Sequence, residues 1–359
     1  MSQLQQRIEQ VIRADVRQMH AYVVQPSAGM VKLDAMENPF RLPPELQRAL
    51  GERLGAVAIN RYPGERLDVL REALARHAGM PDGHALVLGN GSDELISMLA
   101  MACRQPGATV LAPVPGFVMY EMSAQLQGMP FVGVPLRPDT FELDERAMLA
   151  AIEQHRPALV YIAYPNNPTG NLFDDAVIER IVQAAPGLVV IDEAYQPFSS
   201  RSYIDRLARH EHVLLMRTLS KFGLAGVRLG YMMGRRELIE EIDKVRPPYN
   251  VSVLNCEAAL FALEHDDEFA RQARILRDER QRLIEALQAL PGVRPYPSEA
   301  NMVLVKVPDA RRTYEGMKAR KVLVKHMGGG SPLLANCLRL TVGSPEENDV
   351  MIAALRDSL

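Results

Sequence analysis

Four short stretches of this chain carry residue types able to do chemistry, and each follows an apolar run. In Thr218-Leu219-Ser220-Lys221-Phe222-Gly223-Leu224-Ala225-Gly226-Val227-Arg228, a lysine stands between such a run and a glycine-rich segment. That is a poor place for a solvated lysine and a good one for a Schiff-base amine, whose pKa must fall before it is nucleophilic. Arg228 lies seven residues further on, within reach of the same phosphate as Ser220. In Leu188-Val189-Val190-Ile191-Asp192-Glu193, the run ends in two acids, at the strand edge where α/β ligand sites lie. Such an acid holds magnesium in ATPases, but that needs a Gly-Lys-Ser/Thr loop, and no Gly-Lys dipeptide occurs here. It can instead pair with a protonated ring nitrogen, or simply belong to a surface turn. In Gly89-Asn90-Gly91-Ser92-Asp93-Glu94, small residues let backbone N–H groups approach an anion at a helix N-terminus, which favours phosphate. As a dinucleotide fingerprint it fails, because Glu94 stands at the third glycine position; an ordinary cap at Ser92 is the plainer reading. Finally, the prolines of Tyr164-Pro165-Asn166-Asn167-Pro168-Thr169-Gly170 fix the backbone and present the asparagines rigidly to a ligand.

The elements that must position these stretches are visible as alternation. The runs 85–88, 109–112, 158–163, 188–191 and 213–216 are continuously apolar, as expected of strands buried on both faces of a mostly parallel sheet. Between them, Leu95, Ile96, Met98, Leu99 and Ala102 follow helical spacing, as does 174–183. Strand–helix alternation predicts a doubly wound α/β domain. The C-terminal third reads as a smaller α+β unit. It has a long helical tract over 256–290, strands near 301–307, 322–325 and 338–342, and helices over 311–320 and 346–355. The expected division is a loop-rich N-terminal arm at 1–40, a large domain at 41–246 and a small domain at 247–359, joined at Arg246-Pro247-Pro248.

Composition narrows the partners. The 359 residues carry 41 Lys plus Arg against 44 Asp plus Glu, a balance that argues against nucleic acid. No stretch approaches the roughly 18 apolar residues of a membrane span, and the N-terminus lacks a signal-peptide core. Three isolated cysteines, Cys103, Cys256 and Cys337, suit a reducing, cytoplasmic compartment and offer no zinc framework. His210 and His212 flank Glu211 in a charged connector and read as a solvated turn; no metal-protease or nucleophile-elbow motif occurs.

Taken together and in order, the four stretches resemble the fold-type I aminotransferases, which use pyridoxal 5′-phosphate. The likeness runs from about Asp34 to the C-terminus. Its most similar branch is the histidinol-phosphate aminotransferases, through Glu37-Asn38-Pro39, Arg61-Tyr62-Pro63-Gly64, Pro115-Gly116-Phe117-Val118-Met119-Tyr120 and the segment 336–348. The resemblance implies Lys221 as the Schiff-base lysine and Asp192 as the acid that keeps the pyridine nitrogen protonated. It implies Tyr195 and Asn167 at the ring's phenolic oxygen, and Phe117 on the ring face. Ser92, Asp93, Ser220 and Arg228 would hold the phosphate, and Tyr62 would reach the phosphate of a second subunit in a homodimer with shared sites. Arg339, Lys325, Tyr22 and Asn38 would meet the substrates, a phosphorylated amino alcohol and 2-oxoglutarate or glutamate. Lys325 stands where some relatives have arginine, Gly64 replaces a common aspartate, and many members have one more residue between the lysine and its downstream arginine. An aromatic or broad-specificity aminotransferase and a threonine-phosphate decarboxylase-like lyase would share the same cofactor shell. A regulator's sensor half would need a winged-helix domain ahead of this region, and only about thirty residues precede the motifs.

Overall fold

The computed structural model describes residues 2–21 and 23–359. Its centre is a seven-stranded sheet whose strands lie in the order His84–Gly89, Gly230–Arg235, Val213–Thr218, Leu188–Asp192, Leu159–Ala163, Val110–Val114 and Phe131–Pro135. Gly230–Arg235 runs antiparallel to both of its neighbours, and the remaining strands are parallel to one another. The connection that precedes it, 219–229, is too short for the helical crossover that a parallel strand needs. The inner strands are buried on both sides, so alternate residues feed two cores. Val160, Ile162, Val189 and Ile191 pack on one face, and Leu159, Tyr161 and Val190 on the other.

The crossover helices are fixed at their starts by side chains. Asp144 accepts from the Ala147 N–H at 3.0 Å, and Asp174 accepts from Ala176 and Val177 at 2.8 and 3.1 Å. These caps set the turn at which each helix leaves the sheet, and so the face it covers.

A second, antiparallel sheet has the order Lys325–His326, Cys337–Thr341, Met302–Lys306 and Arg294–Pro295. Helices Ala310–Ala319, Pro345–Arg356 and part of Asp266–Gln288 cover it and form a separate core. The closing helix starts in a capping box between Ser344 and Glu347. Val31–Lys32 pairs in parallel with Val322–Leu323, which ties the N-terminal part of the chain to this unit.

Three expectations need adjustment. The first forty residues are not only loops, because Gln3–Val11 and Ala14–Gln18 are helical. Ser2 caps the first of these, and its Gln-rich sequence is made of good helix formers. Arg13 anchors this part to the Leu126 carbonyl at 2.7 Å. The tract 256–290 is two helices, Val253–Glu264 and Asp266–Gln288, broken at His265 (φ −124°, ψ 36°). The first of them contributes Cys256, Ala259 and Leu260 to the large core. Core membership therefore changes between Leu263 and Ala273 rather than at Arg246-Pro247-Pro248. A proline pair breaks a helix, but only packing decides which core the next helix joins. Among the described residues, no helix is long and apolar enough to cross a membrane.

Candidate active site

The C-terminal ends of the parallel strands converge on a cavity of about 370 Å³. Its lining includes Ser92, Asp93, Phe117, Asn167, Asp192, Tyr195, Ser220, Lys221 and Arg228. Residues expected from four separate stretches of sequence are thus neighbours in space.

Asp192 ends its strand with its carboxylate buried. Tyr120 Oη donates to Oδ2 at 2.6 Å, and the Ala194 N–H donates to Oδ1 at 3.0 Å. Burial raises its pKa to about 6, while the Tyr120 and Ala194 hydrogen bonds oppose that rise. Glu193, one residue on, faces the other way. It forms a buried ion pair with Arg217 at 2.9 Å and also accepts from Ser202 Oγ at 2.9 Å. The two adjacent acids therefore have separate tasks, one facing the cavity and one joining the strand ends from behind.

Lys221 sits in a wide helical turn, Ser220–Leu224, directly after its strand. Its Nζ donates to the Ala35 carbonyl at 3.0 Å. Burial, helped by the nearby Arg339 guanidinium, lowers its pKa to about 8. This is the direction a nucleophilic amine requires.

At the opposite end is a cradle for an anion. Helix Ser92–Cys103 begins there, with its first N–H groups unpaired within the helix. Arg228 has left-handed backbone (φ 53°) and reaches back over Gly91 to Asp93 Oδ2 at 3.4 Å. Gly91 itself has φ +81°, and a Cβ there would lie 2.7 Å from Arg228 Nη2, so only glycine leaves the guanidinium its place. Thr218 Oγ1, which also lines the cavity, accepts from the Ser220 N–H at 3.2 Å.

Of the asparagine pair, Asn166 braces its own loop, donating to the Pro115 carbonyl at 3.1 Å and to Thr169 Oγ1 at 2.7 Å. Asn167 faces the cavity and donates to Tyr195 Oη at 3.0 Å. Arg339 stands behind it, donating from Nη1 to Asn167 Oδ1 at 2.7 Å and from Nη2 to the Asp34 carbonyl at 2.8 Å. Tyr195 is buried, which raises its phenol pKa.

Other expected residues lie apart from this cavity. Lys325 is directly opposite Arg339 in the antiparallel register, so the two cations share a face of the second sheet. Asn38 lies outside the lining and donates to Gln272 Oε1 at 2.9 Å. Tyr62 is 74% exposed and stacks on Tyr249, with ring centroids 4.1 Å apart. Tyr22 lies outside the described residues. Tyr120 and Thr218 are lining residues that sequence reasoning did not single out, although both sit inside stretches it quoted.

Residues 28–355 match the family model of the class I and II aminotransferases. The chain belongs to that family. Among aminotransferase relatives, the histidinol-phosphate aminotransferase of Methylibium petroleiphilum is 74% identical over 98% of this chain and 96% of its own length. That of Polaromonas naphthalenivorans is 65% identical, covering 100% of this chain and 99% of the relative. Among solved aminotransferase structures, the histidinol-phosphate aminotransferase of Sinorhizobium meliloti, in complex with pyridoxal-5′-phosphate, superposes with a TM-score of 0.85 at 26% identity, covering 97% of each chain.

The cavity fits pyridoxal 5′-phosphate, the cofactor of such aminotransferases. One end offers a buried carboxylate for a ring N–H, and the other offers an N–H- and guanidinium-lined cradle whose guanidinium a Cβ at Gly91 would crowd. An amine and a phenol–amide pair stand between the two ends.

Proposed function

We propose that the chain is a histidinol-phosphate aminotransferase with a ping-pong mechanism. L-Histidinol phosphate gives up its amino group and leaves as imidazole acetol phosphate; 2-oxoglutarate then takes the amino group and leaves as glutamate. The observation that carries this reading is the 74% identity, over 98% of the chain, to a histidinol-phosphate aminotransferase. The convergence of amine, carboxylate and anion cradle on one cavity agrees with it.

When bound, pyridoxal 5′-phosphate supplies a protonated heteroaromatic ring that draws off electrons as a substrate C–H bond breaks. We assign Asp192 to hold the proton on the ring nitrogen, with Tyr120 and the Ala194 N–H fixing its carboxylate. Asn167 and Tyr195, already hydrogen-bonded to each other, would hold the phenolic oxygen, and Phe117 would pack against the ring. The Ser92 and Asp93 N–H groups, the Ser220 hydroxyl and Arg228 bind the phosphate. Lys221 takes the proton from the substrate carbon, a task its lowered pKa suits. A cytoplasmic location fits such biosynthetic chemistry.

The substrates differ in charge: the donor carries a phosphate and no carboxylate, whereas glutamate carries two carboxylates. Arg339, with Lys325 opposite it, is our candidate for receiving either anion. A hydrogen bond to a charged group contributes about 1.5–3 kcal/mol, so Arg339→Ala should lower the specificity constant roughly ten- to a hundredfold in both half-reactions. Lys325→Ala should weaken mainly the phosphorylated donor. Specificity constants for histidinol phosphate, histidinol and phenylalanine check this. Preference for phenylalanine would replace the reading with an aromatic aminotransferase.

We further propose a homodimer, in which Tyr62 serves the cavity of a second copy. The support is its 74% exposure and its position outside its own chain's cavity. Tyr62→Phe alone should weaken cofactor binding about tenfold or more, the order expected for one bond to a charged phosphate. Mixing Tyr62→Phe subunits with inactive Lys221→Ala subunits should create one intact site per heterodimer and restore activity. No gain on mixing, or a fully active monomer in sedimentation, overturns the shared site.

A further inference from the structure

The segment Asp34–Phe40 lines the cavity through Ala35, Met36 and Glu37, and its polar groups are held by both units of the fold. The Asp34 carbonyl accepts from Arg339 Nη2 at 2.8 Å, and the Ala35 carbonyl from Lys221 Nζ at 3.0 Å. The Met36 N–H donates to Thr341 Oγ1, and the Met36 carbonyl accepts from Asn301 Nδ2, both at 3.1 Å. Further along this strap, Asn38 leaves the backbone and meets helix Asp266–Gln288.

That contact has a fixed direction. Glu268, four residues before Gln272 on the helix, accepts from Gln272 Nε2 at 2.8 Å. A carboxylate only accepts, so the Gln272 amide must turn its oxygen the other way. That oxygen accepts from Asn38 Nδ2 at 2.9 Å, and Asn38 Oδ1 in turn accepts from the Phe40 N–H at 2.9 Å. Gln272 is only 1% exposed, so its end of the relay is shielded from water.

The relay also touches the turn that carries the lysine. Gly223 has φ +136°, and a Cβ there would lie 3.1 Å from Asn38 Nδ2 and 2.9 Å from Phe269 Cδ1. Asn38 therefore borders the lysine's backbone turn and belongs to the strap whose carbonyl receives the lysine's amine.

We propose that Gln272 and Asn38 are a pair of positioning residues that hold the Ala35 carbonyl against the Lys221 amine. The pair touches neither substrate nor cofactor and acts through the strap. The proposal rests on the reading of Lys221 as the proton-moving amine. A carbonyl at hydrogen-bond distance favours the protonated amine, so loosening the strap makes the proton easier to lose. Burial already lowers this amine, Arg339 and Arg228 add to the effect, and Glu37 and Asp93 oppose it. Asp192 and Tyr195 face it across the same cavity.

The test uses the full chain carrying Asn38→Ala, Gln272→Leu or both. After the cofactor is removed, brief trinitrobenzenesulfonate pulses across a pH series are followed by quantification of the Lys221 peptide. The parent protein should reach half-maximal labelling near pH 8. Each variant should lower that midpoint by about one pH unit, the order expected from weakening one hydrogen bond to a charged group. The double variant should move it no further than either single one, because both break the same relay. The acid limb of the kcat profile of the loaded enzyme should shift the same way. A role in packing alone would lower thermal stability and kcat and leave the labelling midpoint where it was, which overturns the proposal. If Gln272→Leu fails to fold, Asn38→Ala decides, since Asn38 is only half-buried. A Lys221→Ala enzyme that still turns over overturns both the proposal and the reading beneath it, whereas an unmoved midpoint with Lys221 essential overturns the proposal alone.

Discussion

Lys221→Ala should abolish transamination while leaving a folded protein that still binds pyridoxal 5′-phosphate. In the proposed reading the side chain is both the cofactor's covalent anchor and the base at the substrate carbon, and alanine supplies neither. General-base catalysis contributes about 10²–10⁴-fold, so losing it together with the anchor should take turnover below detection. The fold should survive because the Nζ donates to the Ala35 carbonyl at 3.0 Å from a turn whose own packing, at Gly223 against Phe269, does not involve the amine. Borohydride treatment of the loaded wild-type enzyme, followed by peptide mapping, should find the cofactor fixed to Lys221. A label on another lysine would sink the assignment.

Asp192→Asn should cost about a hundred- to a thousandfold in kcat, the loss typical of removing one preorganised charge or dipole from a reaction site. Asparagine keeps the shape but carries no charge to hold a proton on a ring nitrogen. It also has one acceptor oxygen where the carboxylate has two, so the donors Tyr120 at 2.6 Å and Ala194 at 3.0 Å are no longer both served. Tyr120→Phe removes one of those donors and leaves the charge, so its loss should be smaller. Circular dichroism and cofactor absorbance identify the folded, loaded variant in which kcat is measured. Near-normal turnover in that state would mean that the acid has another task.

The distinction between Asp192 and Glu193 shows where reading the sequence stopped. Their types and their place after an apolar run were plain, but spacing alone did not say which one faced a ligand; the family resemblance alone pointed to Asp192. The alternation of a strand sends them to opposite sides, and only the positions of Tyr120 and Arg217 show which side is the cavity. Tyr120 itself lay in a stretch already quoted, yet its role comes from its reach to a strand distant in sequence. Asn38 shows the opposite case. Its motif suggested substrate, whereas Gln272, remote in sequence, takes its amide.

The fold was legible wherever the pattern was local. Continuous apolar runs mark strands buried on both faces, and the runs at 159–163, 188–192 and 213–218 are such strands. Phe131–Pro135 escaped because it is a short edge strand containing glycine and proline, and Gly230–Arg235 because two glycines and two methionines dilute its strand signal. By itself, the sequence determined the chemistry on offer: a lysine after a strand, an acid at a strand end, a glycine-rich turn before a helix, and rigid asparagines. These are local properties of residue type and spacing. Only the tertiary structure decided which of them meet, which acid faces inward, and that Arg339 reaches Asn167 and the strap together. Those outcomes depend on contacts between distant segments, which packing sets and local spacing does not encode.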